Sequence, residues 1–128
     1  MHATKTIVLL ASAARTAAEN GSAKSTLEKQ DVVGPGAAYQ RGFTRHMQVF
    51  FNVSAYTSGN SDLTIEGSLD GGTTWFTLTP SSAWVQVAGT GKQVRRYEGP
   101  IPPQIRAVLT GTCSFTAAVT ALVGAEAA

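Results

Sequence analysis

Cysteine is nearly absent from this chain of 128 residues: Cys113 stands alone. That excludes an internal disulfide and any C-x-x-C redox or metal motif. Cys113 lies in an apolar, strand-like run, which suits a buried inert thiol. Histidine is equally scarce, with His2 and His46 only, too few and too isolated for a metal site. Charged residues make up 14%, against about a quarter in ordinary soluble domains. A net charge of +2 is too small to point to nucleic acid, and no RRM-like, helix-turn-helix or zinc-finger spacing occurs. No run approaches the ~20 apolar residues that cross a bilayer. Lys5 followed by Ile7–Ala14 has the faint outline of a signal peptide, but its apolar core is short.

Bulky apolar side chains are also in short supply. Aromatics are 8%, and alanine supplies much of the 43% hydrophobic share. Burying a large side chain yields roughly 1.5–3 kcal/mol, whereas ordering one residue's backbone costs roughly 1–2 kcal/mol. A thin core spread over Ala-, Ser- and Gly-rich segments is therefore marginal alone, and support from neighbouring subunits is expected. Length sets a prior of one domain, residues 1–128.

What the sequence does contain is strands. Leu63, Ile65 and Gly67 alternate with Thr64 and Glu66, the period of a half-buried strand. Asp70-Gly71-Gly72 interrupts that pattern, and Trp75, Phe76 and Leu78 resume it, so Leu63–Leu78 reads as a β-hairpin. Met47, Val49, Phe51 and Val53 share one side of a strand within Gly42–Tyr56. Thr4–Ala14 reads as a first strand on its β-branched residues, with a helix over Ala11–Glu19 as the competing reading. Glu19–Ala38 is polar, interrupted by Gly21, Gly34, Pro35 and Gly36, and without apolar period. It reads as an extended loop or arm that lies on a neighbour.

Thr57–Ser61 and Pro80–Ser82 read as turns, and Gly99–Pro103 as a rigid extended linker. Trp84–Ala88 and Lys92–Glu98 flank Gly89–Gly91 as a second hairpin. Gln104–Thr110 and Ser114–Val123 form two last strands about Gly111-Thr112. Seven or eight short strands predict an all-β fold, an antiparallel β-sandwich or jelly-roll-like domain with one long arm at 19–38.

Ser68, Asp70, Gly72, Thr74 and Trp75 resemble the Asp box of sialidases and other β-proteins, S-x-D-x-G-x-T-W. The resemblance implies a structural hairpin, with Asp70 capping turn amides and Trp75 anchoring the turn. A sialidase propeller repeats the box in each blade; this chain has one copy and is too short for several blades.

Catalytic signatures are missing: no H-E-x-x-H, G-x-S-x-G or P-loop pattern occurs. Asp62, Glu66 and Asp70 are the clustered carboxylates, and the residues alone suit a solvated strand face and a turn cap better than a glycosidase pair. No catalytic, cofactor or metal residue is assigned. Arg41, Arg45, Arg95, Arg96 and Arg106, with Tyr97 and Phe50, are the candidate interface, since Arg and Tyr anchor protein contacts well.

Beyond the box, the order of features resembles small virion proteins of tailed bacteriophages. It runs from Thr6–Arg15 and a Gly/Ser-rich loop through Met47–Tyr56 and Leu63–Leu78 to Tyr97–Arg106 and Leu109–Thr116. The resemblance implies a non-enzymatic β-sandwich of the particle, assembled in the host cytoplasm. Its expected role is head decoration (cement), with the major capsid protein and copies of itself as partners, and neither nucleic acid nor membrane. The alternative is a tail or fibre module binding glycan, with Trp75, Trp84 and Tyr97 as an aromatic platform.

Overall fold

The computed structural model describes the backbone of residues 2–26, 28–29, 40–41, 44–98 and 101–126, and the side chains of residues 6–26, 46–98 and 101–124. Among the described residues there are nine strands: β1 (His2–Arg15), β2 (Glu19–Asn20), β3 (Lys24–Ser25), β4 (Glu28–Lys29), β5 (Gln40–Arg41), β6 (Thr44–Ser68), β7 (Phe76–Thr77), β8 (Gly91–Glu98) and β9 (Gln104–Glu126). The described residues include no helix.

β9 is the spine. Its odd positions Ile105, Ala107, Leu109, Cys113, Phe115, Ala117, Val119, Ala121 and Val123 are all buried. The intervening residues are mostly Thr, Ser and Ala, so a period of two runs along the strand on both sides of the exposed Thr110-Gly111-Thr112. β6 pairs with it antiparallel from Thr44↔Ala125 to Ser68↔Gln104. The second half of β9 carries β1 on its other edge, and the first half carries β2 and β3. β6 likewise carries β8 beside its first half and β7 beside its second. The result is one seven-stranded antiparallel sheet, doubled over so that its halves form the two layers of a β-sandwich. Tyr97 and Trp84 from one layer meet Leu63, Ile65 and Leu78 from the other around a single cleft. The core joins Ile7 and Leu9 with Met47, Val49, Phe51, Leu63, Ile65 and the buried side of β9.

The expected turns at Thr57–Ser61 and Gly111-Thr112 are not reversals. Both strands continue through them without reversing, opposite one another, with Gly59 paired to Cys113 and Ser61 to Gly111. Gly59 and Gly111 have φ of 90° and 87°, open to glycine at little cost. A Cβ on Gly59 would lie 2.2 Å from the Thr112 carbonyl oxygen, and one on Gly111 2.6 Å from that of Asn60. Register shifts between Val53 and Ala55 and between Tyr56 and Ser58 each insert one residue into β6. The first bulge turns the even positions inward, placing Tyr56 against the core, and the second restores the odd ones in time for Ser61, Leu63 and Ile65.

The expected arm is corrected over its first part. Glu19 and Asn20 pair with Leu109 and Val108, and Lys24 and Ser25 with Ile105 and Gln104. The Gly21 N–H donates to the Ala107 carbonyl at 2.7 Å, and the Thr26 N–H to that of Pro103 at 2.9 Å. Backbone pairing needs no apolar period, so a polar segment completes the layer. β4 and β5 form their own two-stranded sheet, with Glu28 opposite Arg41; residues 27 and 30–39 lie outside those described.

The expected hairpin of Trp84–Ala88 on Lys92–Glu98 is corrected as well. Val87 bridges to Ser61 instead. The Gln93 side-chain amide takes the place of a ladder, accepting from the Val85 N–H at 2.9 Å and donating to its carbonyl at 3.0 Å.

Arg15 is a buried cation, 8% exposed. It donates to Glu19 Oε2 at 2.6 Å, to the Ala11 carbonyl and to the Ala117 carbonyl at 3.4 Å. These bonds tie the end of β1, where its register shifts between Val8 and Ala13, to the layer below.

Two measurements test this construction. Gly111→Ala, strained at its φ and against Asn60, should lower stability by about 2–4 kcal/mol in urea unfolding. Gly89→Ala, with open space around it, should shift stability by no more than about 0.5 kcal/mol. Arg15→Met, which removes the bonds to the Ala11 and Ala117 carbonyls and the half-exposed pair with Glu19, should cost about 1–3 kcal/mol by the same assay.

Candidate interaction site

The turn after β6 is built from its own side chains. Ser68, fully buried, donates its hydroxyl to Asp70 Oδ1 at 2.8 Å and accepts the Gly72 N–H at 2.9 Å. Asp70 Oδ1 also accepts the N–H groups of Thr73 at 3.1 Å and Thr74 at 2.8 Å. The hydrogen bond from the Thr74 N–H, then that from the Ser68 hydroxyl, lowers the Asp70 pKa from 3.8 to about 2. Gly71 and Gly72 take φ of 77° and 98°, and Trp75 Nε1 donates to the Gly72 carbonyl at 3.0 Å. The Arg106 guanidinium lies 4.3 Å from the centre of the Trp75 ring and donates to Glu66 Oε1 at 2.8 and 2.7 Å. Each carboxylate thus has its own partner: Asp70 the turn, Glu66 Arg106, and Asp62 the Gln86 amide at 3.1 Å.

The seven candidate interface residues do not form one surface. The side chains of Arg41 and Arg45 lie outside the described residues. Tyr97 is corrected from surface to core: it is 2% exposed because odd positions of β8 point inward. Its hydroxyl accepts from Trp84 Nε1 at 2.8 Å, and burial pushes its pKa up to about 12. Arg95 is turned inward too, 5.4 Å from the Trp84 ring centre and bonded to the Ala83 carbonyl at 3.0 Å. Arg106 is held by Glu66 and Trp75. Phe50 and Arg96 remain on the surface; Arg96 reaches Glu98 only at 3.9 Å.

The aromatic platform also fails to assemble. Trp75 is covered by Arg106, Trp84 stands edge-on to Phe51 at 6.0 Å with Arg95 over it, and Tyr97 is interior. Cys113 is buried, which raises its thiol pKa. Among the described residues no cluster of His, Cys, Asp and Glu suits a metal, and no helix is long and apolar enough to cross a membrane.

The sheet register reveals a surface that the composition hides. On the outer face of the β1–β9–β6–β8 layer, Val8, Thr120, Phe50 and Val94 stand in one cross-strand row. The next row holds Thr6, Leu122, Gln48 and Arg96. Val8 is 51% exposed, Val94 46%, Phe50 38% and Leu122 36%. Their sequence signal was an apolar residue at an even, outward position in each strand. Only the register shows that they are neighbours. The other layer's outer face carries Arg106, Glu66, Thr64 and Asn20, with Val108 between the last two, and is mostly polar.

The chain is thus an all-β protein, a β-sandwich made from one doubled antiparallel sheet. No protein-family model matches it, and no curated protein matches it. Among solved structures it is similar to the structure of infectious bursal disease virus Gx strain, with a TM-score of 0.46 and 10% identity. The likeness covers 98% of this chain but 32% of that one, so this chain spans about a third of its length.

The turn makes a pH prediction. A depressed folded-state pKa adds stability that is fully present above the unfolded value near 4 and is lost as pH falls through about 2. The Asp70 carboxyl resonance should therefore titrate near pH 2, and Ser68→Ala should move its midpoint upward. A midpoint near 4 in the parent protein would contradict the geometry.

Proposed function

We propose that this protein is a non-enzymatic virion structural protein, a decoration (cement) protein that binds the head of a tailed-phage particle through the major capsid protein and copies of itself. The observation that carries this reading is the contrast between the two outer faces. One is mostly polar, with Arg106 paired to Glu66 and stacked on Trp75. The other presents Val8, Phe50, Val94 and Leu122 to solvent. Exposed apolar side chains clustered from four adjacent strands, in two neighbouring rows, mark an interaction surface.

Further support comes from what the side chains already do. Arg95, Arg106, Trp75, Trp84 and all three clustered carboxylates are engaged within the chain, which suits a structural element. Charge-poor surface and an alanine-rich core fit a protein that works in an array, where weak single contacts sum to firm attachment. The particle resemblance of the sequence motifs points the same way.

Quantitative gel densitometry of purified particles tests the reading. Decoration requires copies on the order of hundreds per particle and a shell that ruptures more easily once they are stripped. Phe50→Glu should prevent rebinding to stripped particles while leaving the far-UV circular dichroism unchanged. A handful of copies per particle would place the protein elsewhere and overturn the decoration role.

A further inference from the structure

The outward residues of β8 are Lys92, Val94, Arg96 and Glu98, in that order along one strand: positive, apolar, positive, negative. Lys92 makes no ion pair among the described residues, and the Arg96–Glu98 contact is long at 3.9 Å, with both side chains more than 60% exposed. Phe50 stands beside Val94, and Leu122 lies across Gln48 from Arg96. Among the described residues the acidic and basic side chains of this face lie on one strand, with His46 of β6 beside Glu98, and the apolar groups fill the centre.

From this pattern we infer that the outer face of the β1–β9–β6–β8 layer binds the same face of a second copy, two-fold related, with the strands of the two copies antiparallel. Consider a two-fold axis lying in the interface, perpendicular to the strands and crossing β8 between Val94 and Arg96. It sets β8 over β8 of the other copy, Lys92 opposite Glu98 and Val94 opposite the stem of Arg96. The same axis brings Phe50 of one copy beside Leu122 of the other, twice. A two-fold axis parallel to the strands would instead lay the charged strand over β1, whose described outward residues Thr6 and Val8 are uncharged. Charge complementarity therefore selects both the occupant and the orientation.

The dimensions fit a modest contact. Four strands about 4.8 Å apart and eight residues rising about 3.3 Å each cover about 500 Å² per copy, or about 1,000 Å² in total. That is the lower edge of a specific interface, so the pair is weak in dilute solution and fills where copies are crowded. The inference deepens the decoration reading by naming the surface through which copies meet, and it rests on that reading only for the crowding.

Sedimentation equilibrium of the full chain, from micromolar to millimolar concentration, decides the matter. A monomer–dimer equilibrium is expected. Phe50→Glu and Val94→Glu should each weaken it by at least about tenfold, whereas Leu69→Glu and Val85→Glu, exposed elsewhere, should leave it unchanged. Lys92→Glu alone and Glu98→Lys alone should each weaken the dimer, and the double exchange should restore it; a merely apolar contact would not show that recovery. Thermal unfolding of each variant checks that the sandwich is intact. A monomer at every concentration, or a dimer indifferent to Phe50→Glu and Val94→Glu, overturns the inference, as does a double exchange that fails to recover. High copy number on particles together with a strictly monomeric chain would sink the face-to-face pair and leave decoration standing. A dimer with few copies per particle would do the reverse.

Discussion

The antiparallel pairing of β6 with β9 is the constraint on which the rest depends. Each strand serves both layers of the sandwich, so the sheet must bend sharply without losing its ladder. Gly59 and Gly111 allow the backbones to close to distances that any Cβ would prevent. Two bulges in β6 keep its apolar side facing inward on both sides of the bend. Every β6–β9 pair also encloses the whole segment between Ser68 and Gln104, so the central ladder is non-local throughout and should form slowly compared with a helical bundle. The shorter strands are then added to edges that already exist.

That construction explains how a chain with few bulky residues holds a core. Ala107, Ala117 and Ala121 occupy inward positions of the spine and let the layers approach closely. Large groups are concentrated where the layers meet: Tyr97, Phe51, Met47, Ile65 and Ile105 are the largest of the fully buried side chains. Polar groups supply the remaining organisation. Arg15 secures the end of β1, Gln93 stands in for a missing ladder, and the Ser68–Asp70 bonds close the turn. These hydrogen bonds within the chain add to what the apolar core supplies.

Strand faces were legible in the sequence because period-two alternation is a property of consecutive residues. Met47 to Val53, Leu63 to Gly67 and Phe115 to Val123 all point as the alternation predicts. The central bend was not legible, because Ser-Gly-Asn and Gly-Thr carry the same signal in a reversal as in a kink of two crossing strands. The edge pairing of Glu19–Ser25 was invisible for a different reason: a backbone ladder leaves no hydrophobic pattern. Arg106 and Tyr97 suggested a free surface only while their partners were unknown. Glu66 lies 40 residues from Arg106 in sequence, and that distance closes only through the register. The apolar outer cluster was hidden in the same way, since each strand contributes one member.

The route by which such a sandwich associates follows from how its edges and faces are treated. An open strand edge invites pairing with another chain unless it is bulged, charged or covered. Along β8 the edge is occupied: Ser81 donates to the Arg96 carbonyl at 2.7 Å, while Gln93 and Arg95 bond the Ala83 and Val85 backbone. Along β1 two register shifts within Val8–Ala13 break the flat template that strand addition needs. One outer face is made wet by its ion pair and stacked guanidinium. The face bearing Phe50, Val94, Leu122 and Val8 has none of these protections, and among the described residues its acidic and basic side chains lie along a single strand. Edge pairing is thus blunted on both sides of this layer, and face packing is the mode of assembly that the side chains leave open.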